Sequence, residues 1–385
     1  MSIEPFSLPY SGTSEEDLRL RLAQTRWPDA IPGSPWECGI DPDFMRKLCA
    51  YWKDHFDWKT QIQALGRFHH YRCGLEDIQI HFIHERGKGP APIPLILTHG
   101  WPGSFLEMLK IIPLLTDPVS HGGDPGISFD VVVPSLPGFG FSSRPTQAGM
   151  NCFRIAELWA ELMAELGYDR FAAQGGDFGA SVSTILGLRH SQRVIGVHLN
   201  YIPGSYRPHL EPGTKLGEIE QQFLDDADRW YADYGAYAHL QRNTPQTAAY
   251  GLNDSPTGLA AWIVEKFRDW ADCDGDVERR FSKDELLANV TLYWMTETIH
   301  SSCRLYYETK RAPLQFQAGE QLRVPCAVAH FPKEAPFPPR AWIERGFNIQ
   351  RWTEMPHGGH FAAAEEPKLL AEDIAAFFAS VRAAA

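Results

Sequence analysis

The 385-residue chain lacks several features that mark common classes of protein. It has no excess of basic residues, since 36 Lys and Arg against 48 Asp and Glu give a net charge of −12. Phosphate-rich partners need clustered basic side chains, so this balance argues against nucleic acid or an anionic membrane as the main partner. The seven cysteines are scattered, odd in number and without a CxxC pair. That pattern predicts neither a disulfide framework nor a zinc site, and it favours a reducing cytoplasm.

Long apolar runs are also missing from the sequence. No stretch reaches the roughly 20 apolar residues that span a membrane, and residues 1–6 lack the basic flank and apolar run of a signal peptide. We therefore expect a soluble cytoplasmic protein without a membrane anchor. Nothing indicates a cofactor or a metal, and the sequence leaves a homodimer open.

What the sequence does contain is an alternation of strand-like and helix-like segments. Before residue 78 the pattern is helical, with Ser14 suited to cap a first helix and Asp41-Pro42 suited to begin a second. Short apolar runs then occur at residues 78–82, 93–98, 129–134, 170–176 and 194–199, and helical stretches at 152–167 and 180–188. Such an alternation predicts a doubly wound α/β fold, with a mostly parallel sheet flanked by helices.

The strand rhythm stops at about residue 200 and returns near residue 324. The interval is dense in Tyr and Trp and has helical segments at 258–267 and 282–298, which suggests a lid inserted over one face. Strand signals follow at 324–329 and 349–353, and a last helix at 365–381. We therefore expect an N-terminal helical segment (1–77) that wraps the core, a first core part (78–199), a helical lid (200–316) and a second core part (317–385).

The motif with the clearest chemical meaning is Gly175-Gly176-Asp177-Phe178-Gly179, between a predicted strand and a predicted helix. It has the small-x-nucleophile-x-small form of the nucleophile elbow of α/β hydrolases, with aspartate in the place of serine. Glycines suit a turn that is too tight for side chains. Taken alone the motif is weak, because aspartate also caps helices and turns.

A second motif, Thr-His-Gly-Trp-Pro-Gly at residues 98–103, closes an earlier strand. The α/β hydrolases place half of their oxyanion hole at this position, and the residue after the nucleophile supplies the other half. We therefore expect the backbone N–H groups of Trp101 and Phe178 to be the oxyanion donors.

The histidine and the acid are expected late in the chain, since this fold orders its residues as nucleophile, acid and histidine. His360 is preferred over His357 because it directly precedes the apolar start of the last helix. Glu334 follows a predicted strand and is the leading acid, while Glu344 and Glu354 are weaker alternatives.

Aspartate as nucleophile changes the reaction that is expected. With an unperturbed pKa of about 3.9 it is a carboxylate at neutral pH, able to attack a saturated carbon that carries a strained or good leaving group. Epoxides and alkyl halides are such targets. Water activated by His360, which Glu334 would orient, could then hydrolyse the ester on Asp177. The many lid tyrosines favour an epoxide, whose opening oxygen needs an acid.

With these motifs the sequence resembles the microsomal-type epoxide hydrolases, which include the juvenile-hormone epoxide hydrolases. The resemblance covers nearly the whole chain and rests on residues 26–28, 80–84, 99–105, 134–142, 175–179, 252–256, 331–334 and 358–363. It implies an α/β-hydrolase fold that converts a lipophilic epoxide and water to a vicinal diol, with Asp177, Glu334 and His360 as the catalytic set. It also implies two lid tyrosines, Tyr237 and Tyr306, with Tyr307 as the alternative to the second. Many animal members begin with a membrane anchor, which we do not expect here.

Three other functions compete with this interpretation. Haloalkane dehalogenases typically have Trp after the nucleophile, whereas Phe178 follows here. A non-catalytic binding protein would have no reason to keep Asp177, Glu334 and His360 together. A serine esterase is disfavoured because no Gly-x-Ser-x-Gly elbow occurs at the right turn.

Overall fold

A nine-stranded sheet organises the residues that the computed structural model describes, which are 3–31, 33, 35–204, 206–211 and 213–383. Residues 1–2 and 384–385, at the ends of the predicted terminal segments, lie outside the described residues. The strands are β1 (Ile3–Pro5), β2 (His70–Leu75), β3 (Ile78–Glu85), β4 (Ile93–Thr98), β5 (Phe129–Pro134), β6 (Phe171–Gly175), β7 (Val194–Leu199), β8 (Leu322–His330) and β9 (Phe347–Glu354). Their spatial order is β1-β2-β3-β5-β4-β6-β7-β8-β9.

The sheet is parallel from β5 to β9 and antiparallel from β1 to β5. The inner strands are short and apolar, and every residue of β5 is buried, as expected when helices cover both faces. The predicted fold class is therefore confirmed: a mostly parallel sheet flanked by helices.

Fifteen helices connect and cover these strands in the described part of the chain. They are α1 (Gly12–Ala23), α2 (Pro42–Asp54), α3 (Trp58–Leu65), α4 (Ile112–Thr116), α5 (Cys152–Glu165), α6 (Asp177–Arg189), α7 (Glu218–Tyr234), α8 (Ala236–Asn243), α9 (Pro245–Leu252), α10 (Pro256–Trp270), α11 (Lys283–Thr296), α12 (Ile299–Arg311), α13 (Arg340–Ile343), α14 (Ala362–Glu365) and α15 (Pro367–Ala383). Helix α6 packs on β4, β6, β7 and β8, and α15 packs on β7 and β8. None of these helices is long and apolar enough to cross a lipid bilayer.

The N-terminal segment differs from the prediction of helices without strands. Strands β1 and β2 extend the sheet as an antiparallel edge, and β2 forms a hairpin with β3. The pairing of β2 with β3 and of β1 with β2, rather than a strong local pattern, holds these residues extended. The first helix is capped by Ser11, not Ser14: the Ser11 hydroxyl accepts the Ser14 N–H at 3.3 Å.

Helices α1, α2 and α3 contact α10 and α11, which follow β7 and precede β8 along the chain. One buried contact joins the two groups, since Trp52 Nε1 donates to the Thr291 hydroxyl at 2.9 Å. The N-terminal segment therefore supports the helices of the 200–316 interval. Six α-helices and no strand occur in that interval among the residues described there.

The order of the strands places the functional loops side by side. Strands β4 and β6 are parallel neighbours, and Thr98 at the end of β4 pairs with Gly175 at the end of β6. The chain passes from β4 to β5 on one side of β4 and then to β6 on its other side. The carboxyl edge of β4 and β6 is therefore a topological switch point, where α/β proteins bind ligands. The loops after β8 and β9 open at the same edge.

Candidate active site

Close backbone contacts force the turn that presents Asp177. The residue has φ of 47°, in the left-handed region that a non-glycine residue adopts only at a cost. A Cβ on Gly179 would lie 1.9 Å from the Thr98 carbonyl oxygen, and one on Gly175 would lie 2.3 Å from the Gly179 backbone. The glycines therefore let β6 and α6 approach each other and β4, so that Asp177 stands at the first position of α6.

The loop after β4 meets the Asp177 carboxyl group directly. The Trp101 backbone N–H donates to Asp177 Oδ1 at 2.9 Å. Gly100 has no room for a side chain, since its Cβ would lie 2.3 Å from the Asp177 Cβ. The neighbouring ends of β4 and β6 make this contact possible, and it places the predicted donor Trp101 on the Asp177 carboxyl group.

The structure brings His360 and Glu334 together with Asp177. His360 Nδ1 lies 2.7 Å from Glu334 Oε1, and His360 Nε2 lies 3.7 Å from Asp177 Oδ2. The Glu334 side chain is completely buried, and its Oε1 also accepts the Ala335 N–H at 2.8 Å. The imidazole therefore joins the two acidic groups, one at each nitrogen.

Burial and charge perturb the protonation of these groups. Burial raises the pKa of Asp177, and His360 and the backbone N–H groups of Trp101 and Phe178 act in the opposite direction. Burial disfavours a charged His360, but the charge and hydrogen bond of Glu334 and the charge of Asp177 outweigh it and raise the pKa of His360 to about 9. At neutral pH the imidazole is therefore protonated and stabilised by its acidic neighbours.

The other candidate acids and histidine lie elsewhere. Glu344 pairs with Arg340 at 2.6 Å, and Glu354 Oε2 lies 2.7 Å from His330 Nδ1. His357 pairs with Glu366 at 2.7 Å and leaves about half of its side chain exposed. None of the three contacts Asp177.

The loop that carries His360 is held by the end of α10, which the sequence did not predict. The His360 N–H donates to the Trp270 carbonyl oxygen at 2.9 Å, and Gly359 has no room for a Cβ because that oxygen would lie 2.6 Å away. The Glu365 carboxylate accepts the N–H groups of Phe361 and Asp272 at 2.9 and 2.8 Å. Burial raises the pKa of Glu365 to about 7.

Two tyrosines approach Asp177 from the helices between β7 and β8. Tyr237 on α8 stacks on Trp101 with ring centroids 5.3 Å apart, and Tyr306 on α12 meets Phe178 edge to face at 4.8 Å. Both are more than nine-tenths buried. Burial, with the nearby charge of Asp177, raises the pKa of both phenols, so they are neutral hydrogen-bond donors at neutral pH.

Tyr307 has a different environment from Tyr306. The Arg311 guanidinium lies over its ring, 3.2 Å from the centroid, and Tyr307 is not part of the wall around Asp177. Between the two adjacent tyrosines, the geometry favours Tyr306 as the residue that can reach a bound molecule.

A cavity of about 390 Å³ joins these residues, which is within the range of small-molecule sites. Its wall also contains residues that the sequence analysis missed, among them Tyr201, Arg207, Trp230, Arg242, Trp270 and Lys310. Tyr201 follows the end of β7, and the rule that ligands bind at the carboxyl ends of parallel strands could have found it. The presence of the other five in the wall depends on how the helices of the 200–316 interval pack, which no local sequence pattern predicts. No group of three or more His, Cys, Asp or Glu among the described residues is arranged to hold a metal ion.

Family models and relatives match nearly the whole chain. The model for the epoxide hydrolase N terminus matches residues 3–108, and the model for the alpha/beta hydrolase fold matches residues 93–367. Epoxide hydrolase 1 of Oryctolagus cuniculus is 37% identical over 402 residues, which covers 98% of this chain and 88% of that protein. This chain belongs to the epoxide hydrolase family. The predicted resemblance to the microsomal-type and juvenile-hormone enzymes is thereby confirmed.

Two further comparisons extend over nearly the full length. A protein of Stigmatella aurantiaca is 44% identical to this hydrolase over 382 residues, covering 99% of the chain and 86% of that protein. The crystal structure of juvenile hormone epoxide hydrolase from Bombyx mori superposes with a TM-score of 0.88 at 28% identity, covering 100% of this chain and 95% of that one. The shared architecture therefore includes the N-terminal segment and the helices above the cavity.

Proposed function

We propose that this epoxide hydrolase acts in two covalent steps through Asp177. In the first step Asp177 Oδ2 attacks an epoxide carbon, the carbon–oxygen bond of the ring breaks, and the released oxygen takes a proton from a tyrosine. In the second step water attacks the resulting ester and frees the diol. The different surroundings of the two carboxyl oxygens carry this proposal: Oδ1 accepts the Trp101 N–H, and Oδ2 lies on the side of His360.

The position of Trp101 explains which oxygen forms the bond. Oδ1 already occupies a site with a backbone donor at 2.9 Å, and the Phe178 N–H also favours the charge of the Asp177 carboxyl group. After alkylation this oxygen is the ester carbonyl, and attack of water on Cγ places negative charge on it. Donors fixed in advance stabilise such a charge without reorganising.

Tyr237 and Tyr306 fit the role of acids for ring opening. Their high pKa values keep them protonated, and the apolar rings around them exclude water that would compete for the epoxide oxygen. A donated proton neutralises the alkoxide as the ring opens. We infer that the 200–316 interval acts as a lid, because its helices carry both hydroxyls.

Alkylation also prepares His360 to act as a base. The negative charge of Asp177 is one of the causes that raise the pKa of His360 to about 9. An ester at Asp177 carries no charge, so the pKa of His360 falls and burial favours the neutral imidazole. The proton that His360 releases replaces the one that the tyrosine gave to the opening oxygen. Neutral His360 can then take a proton from water, while Glu334 stabilises the imidazolium that forms.

We also propose a cytoplasmic location for the enzyme. All seven cysteines are free, and six of them are buried, as expected of a protein kept in a reducing compartment. Fractionation of cells that express the chain, without detergent, should leave the activity in the supernatant. Recovery in a membrane pellet that resists high salt would contradict this location.

A single turnover in ¹⁸O-labelled water tests the ester mechanism. Because water attacks the carbonyl carbon of Asp177, the label should enter the peptide that contains Asp177, and the first diol released should carry none. Later turnovers should then release labelled diol from the exchanged carboxylate. Label in the first diol and none in the protein would mean direct attack of water on the epoxide, and the proposed role of Asp177 would be wrong.

A further inference from the structure

The charges in the wall of the active-site cavity are unusual for this chain. Apart from Asp177 and His360, which carry out the chemistry, the ionisable side chains that charge at neutral pH are Arg207, Arg242 and Lys310. All three are cations, although acids outnumber bases in the whole chain and its net charge is −12. A neutral lipophilic substrate would not need them.

These cations also lack acidic partners. No carboxylate lies within 4 Å of any of the three among the residues that the structure describes, whereas Arg345 and Arg280 in neighbouring segments pair with Glu220 and Glu366. Lys310 Nζ instead donates to the Asn243 side-chain oxygen at 2.7 Å. Their positive charge is therefore not neutralised by the fold.

The hydrogen bonds of Arg207 and the ring contact of Arg242 are also with neutral groups. Arg207 Nη1 donates to the backbone oxygens of Gly204 and Tyr206 at 3.3 and 2.7 Å. The guanidinium of the half-buried Arg242 lies over the Tyr231 ring, 5.7 Å from its centroid. Partial burial of an uncompensated guanidinium costs free energy, and an anion held beside it offsets that cost.

These cations lie nearer to solvent than the reacting groups, since Lys310 and Arg207 are exposed and Arg242 is half-buried, whereas Tyr237 and Tyr306 are buried. Lys310 follows Tyr306 by four residues on α12, which is about 6 Å along the helix axis. Arg242 lies five residues after Tyr237 on α8. A ligand whose epoxide contacts Tyr237 and Tyr306 would therefore extend toward the cations with its remaining part.

We propose that the cavity takes epoxides that carry a carboxylate group, held by Arg242 and Lys310 with support from Arg207, several carbon atoms away from the ring. This inference rests on the proposed function, since it assumes that Asp177 attacks the epoxide. A carboxylate binds a guanidinium in a bidentate manner, which orients the molecule as well as holding it. The cations also offset the repulsion between the carboxylate and Asp177.

The test compares 10,11-epoxyundecanoate with its methyl ester, which has the same epoxide and the same chain without the charge. For the wild-type enzyme we expect kcat/KM to favour the acid by about 10-fold at low salt, mostly through KM, and to lose this preference as salt screens the charges. The variants Arg242→Gln and Lys310→Gln should each lower kcat/KM for the acid by about 10-fold and change it less than about threefold for the ester.

Lys215→Gln is the matched control, because Lys215 is an exposed cation of the same interval that does not belong to the cavity wall. It should leave the ratio of acid to ester unchanged. Equal rates for acid and ester in the wild type would overturn the proposal. So would an equal loss for both substrates in Arg242→Gln and Lys310→Gln, because these residues would then act on the tyrosines or the fold.

Trapping the ester on Asp177 separates this inference from the proposed function. In a His360→Gln background the methyl ester of the epoxide should add its mass to the protein if the two-step mechanism holds. An adduct without any preference for the acid would overturn only the carboxylate subsite. If neither compound forms an adduct in this background and the wild-type enzyme hydrolyses neither of them, the proposed function fails and the subsite fails with it.

Discussion

The cavity has two sides that differ in chemistry and in construction. On the sheet side, Asp177, Glu334 and His360 follow strands β6, β8 and β9 and are joined through acidic groups and an imidazole. On the helical side, Tyr237 and Tyr306 come from α8 and α12 and contact their surroundings mainly through aromatic rings. Next to Asp177 the sheet side therefore presents charged groups and the helical side presents neutral hydroxyl donors, while the cations Arg242 and Lys310 of the helical side belong to the outer wall.

This difference suggests that the two sides act in different steps of the proposed reaction. In the proposed mechanism the sheet side makes and breaks the covalent bond, and no neighbour can replace Asp177 as the nucleophile or His360 as the base. In the same proposal the helical side supplies two donors for one oxygen, so that either tyrosine can partly replace the other. We therefore expect the losses of activity to be larger on the sheet side than on the helical side.

The largest loss is expected for Asp177→Asn. The amide cannot attack carbon, so alkylation should slow by at least about 10⁴-fold. The buried carboxyl group costs free energy in the folded state, as its raised pKa indicates, so the thermal unfolding temperature should not fall. Rapid-quench mass spectrometry measures the adduct, and near-normal alkylation in this variant would contradict the sheet-side assignment.

His360→Gln should affect only the second step. Alkylation needs no base, so it should continue, whereas hydrolysis should slow by about 10³-fold because water loses its proton acceptor. The protein should therefore gain the mass of one substrate in intact-mass spectra. His357→Gln is the matched control, since His357 pairs with Glu366 outside the cavity, and it should turn over normally. A His360→Gln enzyme without an adduct would separate this residue from hydrolysis.

Glu334→Gln should have a smaller effect with a distinctive pH dependence. Glutamine can still hydrogen-bond to Nδ1 but loses the charge, so hydrolysis should slow by about 10²-fold. Removing an anion destabilises the imidazolium, so the pKa of His360 should fall in the variant, both beside the Asp177 carboxylate, where it is about 9, and beside the ester. Because neutral His360 is the base, the hydrolysis rate rises with pH, and its midpoint should move to lower pH in the variant. An unchanged midpoint would contradict the coupling of these residues.

The two sides also differ in how far the sequence predicts them. Strands β4, β5 and β7 have the predicted limits, because each is a continuous apolar run that ends at a turn. The motif around Asp177 is local, since its glycines are required by backbone contacts within one strand, turn and helix. Residues on this side could therefore be proposed from the order and spacing of motifs.

The helical side depends on packing that no local pattern contains. Arg242 and Lys310 enter the cavity wall because α8 and α12 pack together, and aromatic residues of that interval read equally well as core. Resemblance alone pointed to Tyr237 and Tyr306, and the choice between Tyr306 and Tyr307 needed the rotation of α12. The edge strands β1 and β2 were missed for a similar reason, since the pairing of β2 with β3 and of β1 with β2, rather than their own sequence, makes them extended.

The smallest effects are expected from Tyr237→Phe and Tyr306→Phe, each of which should slow alkylation by about 10-fold with the fold intact, because the remaining tyrosine still protonates the oxygen. The double variant should lose more than either single one. Tyr307→Phe is the control, since its ring packs against Arg311 and lies outside the cavity wall.

An epoxide with an electron-withdrawing substituent releases a less basic oxygen, so each tyrosine change should slow its alkylation less. Pre-steady-state alkylation, followed by adduct mass in a His360→Gln background, measures this step without interference from hydrolysis. Unchanged alkylation in both single variants and in the double one would remove the helical side from the chemistry and leave it a role in binding alone.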